Sequence, residues 1–190
     1  MHLLLLATGS VQAANLDHYV STLRREEWDV RVALTPTAER FVSAQVLSVT
    51  TGVSVFTNAD FFDRLRPLHT KLARWADVVV VAPLSANTMA KLAVGLADNL
   101  VTASFLAASC PRLVCPHTGD DMWRSAATMR NARLLEEDGV HVVWPDKRLA
   151  YVCSEETTRV GIAMPGPAEL ASEIRALREE TLSASRDCHV

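Results

Sequence analysis

The sequence predicts a single α/β domain built on an open, doubly wound parallel sheet, and three observations carry this expectation. Short continuous apolar runs alternate with longer amphipathic stretches, the pattern of βαβ units rather than of hairpins. Successive runs are far enough apart for the crossover that parallel pairing requires. Aromatic residues make up only 6% of the chain, so Val, Leu and Ala must fill the core, as in sheets covered by helices on both faces. With 190 residues, 49% of them hydrophobic and 22% charged, the chain can bury one sizeable core but not two independent ones.

Residues 3–7 are the first expected strand, a Leu run closed by Thr8-Gly9, and 11–25 have the spacing of a helix. A second strand over 30–34 leads into a helix over 38–47, begun by Thr35-Pro36-Thr37. Residues 78–82 are the clearest buried strand, a Val run bounded by Asp77 and Pro83. Helices follow over 86–93 and 99–108, then a strand over 113–115 and a helix over 125–138 that stops at Gly139, a natural C′ residue. A short strand over 141–144 completes the sheet. Residues 145–166 show no clean period and are long for a structureless connection, so a functional loop is expected there. Residues 167–180 return to helical spacing, and the polar stretch 182–190 is expected to be a disordered tail.

Composition removes several function classes. A net charge of -3 without a basic cluster argues against a nucleic-acid grip, whose affinity comes from Lys and Arg on phosphates. The apolar run 3–6 is too short for a signal-peptide core and has no basic segment before it, and no stretch reaches the roughly 18 apolar residues of a membrane span. A cytoplasmic protein that contacts no membrane is expected. Cys110, Cys115, Cys153 and Cys188 show neither zinc-site spacing nor the density of a disulfide scaffold, and no His sits at ligand spacing from Cys or Asp, so no metal site is expected.

In doubly wound sheets ligands bind beyond the carboxyl ends of the strands, which makes those positions the place to look for chemistry. After the first strand, Gly9 permits a tight turn and Ser10 stands at a helix start, where free N–H groups suit a phosphate; an ordinary strand-to-helix turn has the same residues. Thr35 after the second strand reads equally as a phosphate ligand or a helix cap. The segment Pro83-Leu84-Ser85-Ala86-Asn87-Thr88 places three polar side chains at one helix start, more than capping needs. Gly95-Leu96-Ala97-Asp98-Asn99 is a second polar loop opening a helix.

Taken together with His69 before Trp75-Ala76-Asp77, and with Pro116 and Met122-Trp123, these segments resemble the homo-oligomeric flavin-containing cysteine decarboxylases. The resemblance covers residues 3–165. That family includes phosphopantothenoylcysteine decarboxylase and the peptidyl-cysteine decarboxylases of lanthipeptide and linaridin biosynthesis. The resemblance implies a flavodoxin-like (Rossmann-like) fold over 1–181 with 145–166 covering the substrate, and FMN as cofactor. It implies that Gly9, Ser10 and Thr35 hold the FMN phosphate, and that Ser85, Asn87, Thr88, Asp98 and Asn99 bind the rest of the cofactor. His69 matches the family's active-site histidine. The family's Pro-Ala-Ser-Ala-Asn-Thr motif is met except at Leu84.

A second family signature, Pro-x-Met-Asn-x-x-Met-Trp, is only partly kept. Here it reads Pro116-His117-Thr118-Gly119-Asp120-Asp121-Met122-Trp123, so Thr118 and Gly119 replace Met and Asn. In the family that Asn is linked to the substrate carboxylate, and Gly119 has no side chain to take its place. Three readings stay open: the Gly119 backbone with Thr118 or His117 binds the carboxylate, the substrate is a different peptide, or decarboxylation is lost. Met122 and Trp123 are expected at the substrate site or as a wall between subunits. Cys153, in Tyr151-Val152-Cys153, resembles the start of the family's mobile covering segment and reads equally as a packing residue.

The resemblance implies oxidative decarboxylation of a C-terminal peptidyl cysteine: two electrons pass to FMN, a thioaldehyde forms, and loss of carbon dioxide gives an enethiol that can close an aminovinyl-cysteine ring. His69 acts there as general base or orienting group, and the redox chemistry belongs to the flavin. The alternatives are phosphopantothenoylcysteine decarboxylation for coenzyme A, and a flavin-binding partner subunit that has lost catalysis. Expected partners are a peptide ending in cysteine and further copies of the chain, as a trimer or dodecamer.

Overall fold

The computed structural model describes residues 1–62, 67–152 and 157–187. Six strands, β1 (His2–Ala7), β2 (Asp29–Leu34), β3 (Ser54–Phe56), β4 (Val78–Leu84), β5 (Arg112–Pro116) and β6 (His141–Val142), form one sheet. Their order is β3-β2-β1-β4-β5-β6 and every neighbouring pair is parallel. The order reverses direction between β1 and β4, which opens a crevice above the carboxyl ends of those two strands. This is the doubly wound single domain that the apolar runs predict, and the flavodoxin-like (Rossmann-like) fold that the resemblance implies.

The runs are continuous because both faces of the sheet are covered. Along β1, Leu3, Leu5 and Ala7 enter one core layer and Leu4 and Leu6 the other, all fully buried. Each such leucine contributes roughly 1.5–3 kcal/mol over an exposed one. The first layer lies under α1 (Leu16–Arg25), α2 (Ala44–Thr51) and α9 (Pro167–Asp187). The second lies under α4 (Leu68–Trp75), α5 (Ala86–Ala93), α6 (Leu100–Leu106) and α8 (Ala126–Glu137). Two one-turn helices, α3 (Ala59–Phe62) and α7 (Asp120–Trp123), complete the set. No helix among the described residues is long and apolar enough to cross a membrane.

The structure corrects the expected elements at several places; the helix expected over 11–25, for one, is a 3-10 turn, Val11–Asn15, followed by α1. The helix placed at 38–47 is a 3-10 turn, Ala38–Arg40, followed by α2, because Ser43 caps a new start by accepting the Val46 N–H at 3.3 Å and Gly52 ends it at φ 67°. Strand β3 went unpredicted: three residues on a sheet edge, none of them fully buried, carry no apolar run. Within the segment 145–166, expected as a loop, the described residues include two antiparallel strands, β7 (Asp146–Val152) and β8 (Thr157–Ala163). The tail expected from 182 is helical as far as Asp187, where α9 ends.

Candidate functional site

The turns that follow β1, β2, β4 and β5 converge on a cleft of about 420 Å³. Gly9 and Ser10 come from the first, Thr35 and Thr37 from the second. Ser85, Asn87, Thr88 and Lys91 come from the third turn and α5, and His117, Thr118 and Met122 from the fourth, with Asn99 at the margin. Among the described residues no carboxylate lines the cleft. Hydroxyls, amides and one ammonium make it a donor-rich site suited to an anion.

Local packing explains why these residues stand where they do. At Gly9 a Cβ would lie 2.3 Å from Thr37 Cγ2, so only glycine lets the first two turns approach this closely. Thr8 is fully buried and its hydroxyl donates to Pro83 O at 2.8 Å while accepting from Ser85 N at 2.7 Å. That pair of bonds clamps the ends of β1 and β4 together and fixes the crevice. Thr35 Oγ1 accepts the Ala38 N–H at 3.2 Å and keeps its own proton for another partner. Ser85 caps α5, accepting the Thr88 N–H at 3.4 Å. Leu84, where the family motif has Ala, is fully buried beneath the turn, so the difference is one of packing.

Other predicted residues have structural partners. Asn99 caps α6 by accepting from Val101 N at 3.0 Å and Thr102 N at 3.1 Å, and its amide donates to Asp98 at 2.7 Å. Asp98 lies outside the cleft lining and bonds Lys91 at 2.5 Å; that hydrogen bond is the main reason its carboxyl is held below the usual range. Trp123 is buried and meets Trp144 edge-on at 5.5 Å, whereas Met122 is exposed at the cleft mouth. Gly119 precedes α7 with open space where a Cβ would stand. Cys153 lies outside the described residues.

The structure does not bring His69 to the cleft of its own chain. It sits in the first turn of α4, its ring edge-on to Phe61 at 5.4 Å, with Nδ1 buried and no hydrogen-bond partner among the described residues. Sequence reasoning missed Thr37 and Lys91. Lys91 lies one helical turn beyond Asn87, so the period of α5 was the signal that could have found it. Thr37 had no local signal, since its place depends on contact with Gly9.

A family model described as "Flavoprotein" matches residues 1–179. The chain is 34% identical over 196 residues to a probable phosphopantothenoylcysteine decarboxylase of Arabidopsis thaliana, covering 97% of this chain and 92% of that protein. It is 32% identical over 146 residues to the coenzyme A biosynthesis bifunctional protein of Haemophilus influenzae, covering 76% of this chain but only 36% of that longer protein. Among solved structures, a PPC decarboxylase variant complexed with pantothenoylaminoethenethiol matches with a TM-score of 0.82 at 33% identity, over 94% of this chain and 98% of the other. The peptidyl-cysteine decarboxylase EpiD matches with a TM-score of 0.79 at 26% identity, over 90% and 96%.

Proposed function

We propose, because the chain belongs to the flavoprotein family, that it binds FMN in the cleft and decarboxylates a small molecule ending in cysteine, with 4′-phosphopantothenoylcysteine as the substrate. The observation that carries the cofactor reading is a cleft at the strand-order reversal, lined by hydroxyls and Lys91 and by no carboxylate among the described residues. Ser10, Thr35 and Thr37 hold the phosphate, and Ser85, Asn87 and Thr88 bind along the rest of the cofactor. The substrate reading rests on relatives named phosphopantothenoylcysteine decarboxylase, which match nearly the whole chain.

FMN, when bound, would supply a reversible two-electron store, taking two electrons as the cysteine thiol is oxidised to a thioaldehyde and returning them to the enethiol left after loss of carbon dioxide, so that the net change is loss of carbon dioxide alone. The protein's residues orient the cysteine, exclude water and hold its protons. His69 is the base or orienting group for the thiol. That it does not line the cleft of its own chain supports a homo-oligomer in which it serves a neighbouring copy. The Thr118-Gly119 turn offers backbone N–H and hydroxyl donors to the carboxylate in place of the family's Asn.

The peptidyl-cysteine reading is kept on one observation: the fold match to the peptidyl-cysteine decarboxylase EpiD, with a TM-score of 0.79 at 26% identity. Purified protein mixed separately with phosphopantothenoylcysteine and with a peptide ending in Cys separates the two. Loss of carbon dioxide alone from phosphopantothenoylcysteine, with the peptide unchanged, supports the proposal, and loss of carbon dioxide plus two hydrogens from the peptide alone overturns its substrate. Colourless protein that takes up no FMN overturns both. His69→Asn abolishes turnover while leaving the protein yellow, and a sedimentation mass of a single chain argues against the shared site.

A further inference from the structure

Ser10 and His117 meet in the cleft although 107 residues separate them: Ser10 Oγ lies 2.7 Å from His117 Nδ1. Ser10 occupies the N-cap position of the 3-10 turn Val11–Asn15, where a serine ordinarily accepts a backbone N–H, yet its side chain makes no capping bond. Its hydroxyl is directed to the imidazole instead. The imidazole is held in place from its own backbone, since His117 N donates to Leu84 O at 2.9 Å.

A serine hydroxyl has one proton, so the direction of this bond decides what Ser10 shows the cleft. If Nδ1 is bare, Ser10 donates to it and turns only lone pairs toward the cleft, which repels an anion. If Nδ1 carries a proton, the imidazole donates to Ser10 Oγ and the serine O–H is free to donate into the cleft. Burial pushes the His117 pKa below its ordinary value, so at neutral pH the choice lies between two neutral tautomers rather than between two charges.

We infer that His117 is a positioning residue for the cofactor phosphate: as the Nδ1–H tautomer it donates to Ser10 Oγ and thereby makes the Ser10 hydroxyl a phosphate donor. This rests on the FMN reading above and goes beyond it. It moves His117 from the substrate side, where the sequence placed it, to the cofactor side. The residue acts through Ser10 and touches no reacting atom.

The test uses flavin-free full-length protein titrated with FMN and with riboflavin, followed by flavin fluorescence, because the ratio of the two dissociation constants isolates the phosphate. One hydrogen bond of ordinary strength predicts that His117→Ala lowers the preference for FMN by about threefold to tenfold. His117→Asn, whose amide N–H can take the place of Nδ1–H, keeps the preference within about twofold of wild type. Nitrogen-15 NMR of labelled histidine in the FMN complex reads the tautomer directly and is expected to show Nδ1 protonated. An unchanged FMN preference in His117→Ala, or a bare Nδ1 with FMN bound, overturns the inference while leaving the cofactor reading intact. Wild-type protein that binds neither flavin overturns the cofactor reading and this inference with it. If His117→Ala does not fold, the tautomer in the wild-type complex decides.

Discussion

Gly9→Ala tests the geometry of the cleft most directly. The added Cβ would stand 2.3 Å from Thr37 Cγ2 and 2.6 Å from Thr37 Cβ, where ordinary contact begins near 3.4 Å. Rotation of Thr37 about χ1 can swing the methyl away, but its Cβ is fixed to the backbone. The turns after β1 and β2 must therefore part by roughly 0.8 Å. Overpacking of this kind costs about 1–3 kcal/mol, and a domain of this size loses roughly 2–4 °C of Tm per kcal/mol. Calorimetry should accordingly show Gly9→Ala melting about 2–12 °C below wild type. Flavin affinity should fall with it, because the same parting widens the cleft between Ser10 and Thr35. Measured in a Thr37→Gly background, which removes both obstructing atoms, the penalty should vanish; in a Thr37→Ala background, which keeps Cβ, it should persist in part. Equal melting of Gly9→Ala and wild type, or a full penalty in the Thr37→Gly background, would refute the reasoning.

Thr8→Val keeps the shape of a fully buried side chain but orphans Ser85 N, at about 1–3 kcal/mol, while Pro83 O keeps the Thr8 backbone N–H at 3.2 Å; urea unfolding should show the loss, and Thr8→Ser should recover most of it. Gly119→Asn meets no neighbour within 4 Å and caps α7 at least as well as Gly, so its unfolding midpoint should match or slightly exceed wild type; a rise in kcat/KM on a cysteine carboxylate would assign the missing amide a role. His117 has a lowered pKa in the fold, so between that value and the ordinary 6.5 the unfolded chain binds the extra proton. Flavin-free protein should therefore lose stability as pH falls below about 6.5, and His117→Asn should flatten that part of a Tm-against-pH curve. Burial raises the pKa of the fully buried Cys115 thiol far above neutrality, so alkylation followed by peptide mapping at pH 8 should find Cys115 unmodified in the native protein.

The residues also show why some of the fold could be read in advance and some could not. The Val run of β4 and the Leu run of β1 announce themselves because a strand buried on both faces needs no alternation. Strand β3 is half exposed on an edge, and the antiparallel pair of β7 and β8 lies outside the main sheet, so neither has to be uniformly apolar. Met122 and Trp123 are adjacent in sequence and share a motif, yet neighbouring helical residues point about 100° apart. In the single turn of α7 this sends Trp123 into the core and leaves Met122 at the cleft. A motif read as a string treats the two alike, and only the helix separates them.

The hydroxyls at the strand ends separate by a longer-range criterion. Thr8, Ser10 and Thr35 look equivalent in sequence, each following an apolar run. Thr8 is satisfied on both sides by β4 and the turn after it, 75 and 77 residues away, and these bonds direct neither its proton nor its accepting lone pair at the cleft. Thr35 accepts a local backbone N–H and retains its proton, which makes it a donor whatever the cleft holds. Ser10 alone is tied to a group that can either give or take a proton. Local sequence fixes none of these three states, because each depends on the partner the topology supplies. The same logic ranks the residues for experiment: Thr8 governs the stability of the crevice, Thr35 its constant affinity for an anion, and Ser10 with His117 the part of that affinity that a single tautomer can switch.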